Sequence, residues 1–95
     1  MADQHMQIKA TDDVLKGIYA NALQISHTQQ EVVFDFLNIF PPQGQLVSRI
    51  ITSPAHAKQI AAALMENLKK YEAQYGQVTA ATSPSGDFGF STPQA

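Results

Sequence analysis

Apolar residues follow two periods along this chain. From Ile18 to Thr52 they alternate in runs of two, and from Ser53 to Gly76 they recur every three or four residues. The first pattern predicts strands and the second a helix. Ile18 to His27 reads as strand one, with Tyr19, Leu23 and Ile25 on one face and Asn21 interrupting it. Glu31 to Phe40 reads as strand two, with Val32, Phe34 and Phe36 on one side and Val33, Asp35, Leu37 and Ile39 on the other. Pro41-Pro42-Gln43-Gly44 predicts a break in pairing, because neither proline donates to a ladder. Gln45 to Thr52 reads as strand three, with Leu46, Ser48 and Ile50 opposite in phase to Val47, Arg49 and Ile51.

The helix follows at once. Ser53 is suited to cap its first turn, Pro54 sits where a missing N–H costs nothing, and Gly76 suits its end. Ala57, Ile60, Ala61, Leu64, Leu68, Tyr71 and Tyr75 form one stripe. About 22 helical residues span roughly 33 Å and an eight-residue strand roughly 26 Å, so the helix matches the sheet in length. The expected fold is α+β, a three-stranded antiparallel meander with one long C-terminal helix packed on one sheet face. Residues 18–76 form this βββα domain, residues 1–17 a mobile arm that includes a short extended piece, and residues 77–95 a disordered tail rich in Thr, Ser, Pro, Gly and Ala.

Simple hairpin registers set Ile25 against Val32, Phe34 against Ile50 and Asp35 against Arg49. The face with Tyr19, Leu23, Ile25, Val32, Phe34, Phe36 and Ile50 then lies under the helix. The other face leaves Val33, Leu37, Ile39, Val47 and Ile51 in water, a large apolar patch for a monomer. A second copy about a two-fold axis is the expected cover, and these five residues are the expected dimer face. The alternative is that the N-terminal arm or a fourth strand covers it.

Composition narrows the function. The chain has 95 residues, a formal charge of −2 and no cysteine. One small domain is expected, with no disulfide framework or thiolate zinc site, in keeping with a reducing cytoplasm. The N-terminus is polar, without an apolar signal core, and no apolar run is long enough to span a membrane. The acidic balance weighs against a general nucleic-acid coat.

Candidate chemistry is sparse. Asp35 and Arg49 are expected as a buried ion pair rather than an acid beside an arginine clamp, since no nucleophile accompanies them. His5, His27 and His56 lack metal-ligand spacing, so no metal or other cofactor is expected. Tyr71 and Tyr75 suit packing. The Asn21 amide is expected to satisfy buried backbone groups or the turn before the helix. Asn21, His56 and Lys58 remain possible ligand contacts, and Phe88 and Phe90 in the tail are a possible docking peptide for a protein partner.

Tyr19-Ala-Asn21, Ile25-Ser-His-Thr, Phe34-Asp-Phe36, Ser48-Arg49, Ser53-Pro-Ala-His-Ala-Lys58, Asn67 and Tyr71-Glu72 together resemble a family of small prokaryotic domains of unknown function. The resemblance spans about residues 17–76, and its most specific part runs from Ser53 to Lys58. It implies a small bacterial or archaeal protein of unassigned activity, in whose pattern Tyr19, Asn21, Asp35, Arg49, Ser53, His56 and Lys58 recur. It supplies no catalytic residues. The expected function is a non-enzymatic homodimeric adaptor or assembly module that binds a protein partner. The alternatives are a nucleic-acid-binding dimer using Lys58, Lys69, Lys70 and Arg49, and, further down, a small-molecule enzyme.

Overall fold

The computed structural model describes residues 5–81. Among these, the elements run α1 (Asp12–Lys16), β1 (Ala22–His27), β2 (Val32–Phe40), β3 (Gln43–Thr52) and α2 (Pro54–Tyr75). The three strands form one antiparallel sheet in the order β1-β2-β3. The class is α+β, a meander followed by a long helix.

Local chemistry sets the boundaries. Residues 12–16 form a short helix, where the sequence suggested an extended piece. The Thr11 side chain accepts from the Val14 N–H, two aspartates sit in the first turn, and Lys16 sits in the last. Gly17, at φ 74°, ends this helix in a conformation that side chains resist. Strand β1 starts only at Ala22, four residues later than Ile18.

The Thr28 hydroxyl accepts from the N–H groups of Gln30 and Glu31, while Thr28 N–H donates to the Glu31 carbonyl. That tight loop carries the ladder on to His27 opposite Val32. Ile25 therefore lies opposite Phe34, not Val32. The shift is two residues, so the strand faces are unchanged.

At the other hairpin the prolines do not break the pairing early. Phe40 pairs with Gln43 and Ile39 with Gly44, leaving Pro41-Pro42, joined by a cis bond, as the whole loop. Further along, a bulge shifts the register: Leu37 lies opposite Leu46, yet Phe36 lies opposite Ser48. Val47 is the extra residue. The alternation breaks there, so Leu46, not Val47, stands across from Leu37 on the face that had been assigned to Val47.

The largest departure concerns α2. Ser53 is the only residue between β3 and the helix, and it is extended at φ −80°, ψ 157°. One extended residue does not reverse a chain, so α2 leaves the sheet instead of lying down on it. None of its residues is buried, and Leu64 on its stripe is 57% exposed. The expected packing of the helix on its own sheet is thereby corrected. The face meant for the helix is open instead, with Leu23 and Ile50 near half exposed and Ile25 56% exposed.

Burial is confined to the opposite face. Among the described residues, only Ala22 (8%), Leu37 (4%) and Asp35 (3%) are buried. Val33, Ile39 and Val47 are half-buried, and Ile51 is 54% exposed. Of the five residues assigned to a dimer face, Leu37 is thus already covered within one chain, and Ile51 is the most open.

Candidate functional site

The densest polar chemistry sits in the middle of the sheet. Asp35 on β2 lies opposite Arg49 on β3 and Gln24 on β1. Arg49 donates through Nε to Asp35 Oδ1 at 2.6 Å and through Nη2 to Oδ2 at 3.0 Å. This is a two-point charge-assisted pair, the strongest geometry open to these groups. The carboxylate is buried, while the guanidinium is half exposed and roofs it. The hydrogen bond to Asp35, and then the carboxylate's charge, hold the Arg49 pKa above its ordinary value.

The bulge makes this pair possible. Counting back from the hairpin without it, Ser48 would stand opposite Asp35, and Arg49 would fall on the other face. The extra residue, Val47, moves the phase by one and brings Arg49 across from Asp35. Beside the pair, Gln24 Oε1 is buried without a hydrogen-bond partner, as is Asn38 Oδ1. Such atoms each cost stability unless something satisfies them.

Asn21 closes the far end of the sheet. Its Nδ2 donates to the Ile39 carbonyl at 3.0 Å, and its Oδ1 accepts from the Ile39 N–H at 2.8 Å. Its own N–H donates to the Leu37 carbonyl. The side chain therefore copies a backbone pairing just before β1 begins. Its amide oxygen and nitrogen are both engaged in that role. A shallow, open depression lined by Ala20, Asn21, Ala22, Leu23 and Phe36 lies beside it.

Ser53, His56 and Lys58 lie elsewhere. The Ser53 hydroxyl accepts from the His56 N–H at 3.1 Å, capping α2, and His56 Nδ1 lies 3.1 Å from Gln59 Oε1. Lys58 is exposed on the same turn. Asn21 neighbours Leu37 and Ile39, whereas α2 starts just past the Thr52 and Val32 pair. About six residues of strand separate those levels, roughly 20 Å. Asn21 therefore does not share a site with His56 and Lys58. Asp35 and Arg49 lie between the two.

Tyr71 and Tyr75 touch as a tilted pair, with ring centroids 4.9 Å apart. They remain about half exposed or more. Gly76 ends α2 at φ 97° with its N–H on the Glu72 carbonyl, and the Val78 N–H donates to Glu72 Oε2. Phe88 and Phe90 lie outside the described residues, as does most of the tail. Among the described residues, no group of three or more His, Cys, Asp or Glu side chains comes together as a metal would need, and no helix is long and apolar enough to cross a membrane.

Sequence reasoning expected the Asn21 amide to satisfy backbone groups, as it does, but missed its partner Ile39 and the bulge at Val47. Asn before a strand is a weak signal, because its partner lies 18 residues away. No glycine or proline marks the bulge.

No curated protein and no solved structure matches the chain. Residues 1–80 match the family model described as "Protein of unknown function (DUF3467)". With four-fifths of its length inside that match, the chain belongs to the DUF3467 family.

Proposed function

We propose that this chain is a homodimeric, non-enzymatic assembly module that presents a surface to a protein partner. One observation carries the reading. Among the described residues only two apolar side chains are buried, while a 22-residue helix and one sheet face leave their apolar positions open. Leu64, Leu68, Tyr71 and Tyr75 on α2, and Leu23, Ile25 and Ile50 on that sheet face, are each about half exposed, as is Ile51 on the opposite face. Closing that half contributes about 1 kcal/mol per side chain. The helix stripe alone supplies about 8 kcal/mol across two copies, which the cost of association consumes in large part. Both surfaces together supply about twice that, enough for a stable dimer.

The polar groups favour structure over catalysis. Asp35 and Arg49 satisfy each other, Asn21 is spent on the Ile39 backbone, and Ser53 caps α2. The nucleic-acid reading ranks lower. Asp35 already neutralises Arg49 through two of its nitrogens, and Lys70 stands 3.9 Å from Glu66.

Sedimentation equilibrium of the full chain at micromolar concentration tests the proposal. Twice the monomer mass is expected. A monomer that stays folded under those conditions would remove it. Flow-through on heparin at low salt would dispose of the second reading.

A further inference from the structure

Within the proposed dimer, we infer that α2 pairs with α2 of the second copy in antiparallel fashion, the two-fold axis crossing level with Glu66. The inference rests on the dimer reading and specifies which surface joins the copies and in which direction.

The stripe is a heptad. Ala57, Ala61, Leu64, Leu68, Tyr71 and Tyr75 follow one another at steps of four, three, four, three and four along a helix with no buried residue. An alternation of that kind suits a seam for a second helix, with Ile60 and Met65 flanking it on either side. It also fits the joint at Ser53, which holds α2 clear of its own strands.

Side-chain size along the seam sets the direction. The alanines lie at the N-terminal end, the leucines in the middle and the tyrosines at the C-terminal end. A parallel pair would stack tyrosine on tyrosine at one end and leave alanine against alanine at the other. One end would be overfilled and the other void, and interiors tolerate neither. Turned antiparallel, the seam faces Ala57 with the partner's Tyr75, Ala61 with the partner's Tyr71, and Leu64 with the partner's Leu68. Each layer then holds about the same volume. The tilted Tyr71–Tyr75 pair becomes a wedge that fills the alanine end of the other copy.

Charge agrees with size. Lys58 and Glu72 flank the seam on the same side, eight residues before and six residues after Glu66, so a two-fold axis there brings them within two residues of the same level. Antiparallel pairing sets each Lys58 beside the partner's Glu72, twice by symmetry, whereas parallel pairing would set each level with its own kind. The Glu72 carboxylate is already held at that end of the helix by the Val78 N–H at 2.9 Å. Opposed helix dipoles add in the same direction. The arrangement also brings the partner's Tyr75 to the end of the sheet where β3 runs into α2, next to the open Ile51.

The chain contains no cysteine, so single spin labels can be placed at will. Gln59→Cys, Glu66→Cys and Ala73→Cys all lie on the side of α2 away from the seam, one heptad apart. Inter-label distances are measured on the full chain by pulsed electron paramagnetic resonance, alongside sedimentation of each labelled variant. The expected distance is shortest at residue 66. It lengthens by similar amounts at 59 and 73, where the labels separate along the axis by about 21 Å. A dimer with three equal distances, or with the shortest at 59 or 73, overturns the antiparallel pairing and leaves the dimer standing. Monomers without dipolar coupling overturn both.

Discussion

Asp35 keeps almost no contact with solvent, and its charge is balanced by Arg49 across the strand. Removing the guanidinium strands a carboxylate in the best-covered part of the sheet. Arg49→Met is therefore expected to lower the thermal midpoint by more than about 5 °C, while Asp35→Leu with Arg49→Met recovers most of the loss. A single variant as stable as the parent in a melting experiment would refute this. The alkaline side follows from the raised Arg49 pKa. A group raised on folding keeps its contribution below its unfolded value and loses it only above its folded one. The gap between parent and Arg49→Met should stay constant from about pH 7 to about pH 10. Asn21→Ala should cost about 1 kcal/mol in urea denaturation, and Asn21→Asp a comparable amount, because a carboxylate does not donate to the Ile39 carbonyl. The pairing of Asp35 with Arg49 was legible from a simple register with Phe34 opposite Ile50, though that register did not foresee the bulge that produces it. Strict counting from the prolines points to Ser48. That the Asn21 amide meets backbone groups was legible, but its partner Ile39 was not, since that depends on where β1 begins.

Element types were easier to read than their joints. Period two over residues 22–52 and period three to four over residues 54–75 are long, clean signals, and they gave three strands and a helix in order. The cap at Thr11 with Asp12 and Asp13 behind it was a readable helix start. The segment behind it carries too few large apolar residues to show a helical period. Val47 was unreadable as a bulge because one valine among strand residues looks like any other. Its role as the surplus residue has a direct test. Deleting Val47 should leave Leu37 opposite Leu46 and Asp35 opposite Arg49 in an unbroken ladder. Cross-strand nuclear Overhauser effects between those residues in the deletion variant should survive. Their loss would mean that the curvature of the bulge, not just the count, holds β3 in place.

For the whole molecule, the open apolar surface ties stability to concentration. If two copies share a core, the thermal midpoint rises with protein concentration, by several degrees over about a hundredfold range. Leu64→Glu, in the middle of the helix stripe, should abolish that dependence and yield a monomer or an unfolded chain in sedimentation and circular dichroism. A midpoint indifferent to concentration in the parent would count against any shared core. The open apolar surface was visible in the sequence as apolar residues on both sides of the strands. Which side stays bare was not visible, because it depends on the direction in which the helix departs.

That departure passes through a single residue, Ser53, with strand on one side and helix on the other. A joint so short has no slack, and it fixes the rotational setting of α2 against the sheet as a keyed shaft fixes a gear. Adding one alanine after His56, inside the first turn, would turn the stripe by about 100° relative to the joint without altering a single side chain on it. Such a chain should keep its helix content by circular dichroism yet lose its native assembly in sedimentation. An unchanged assembly would show that the sheet and the helix mate independently.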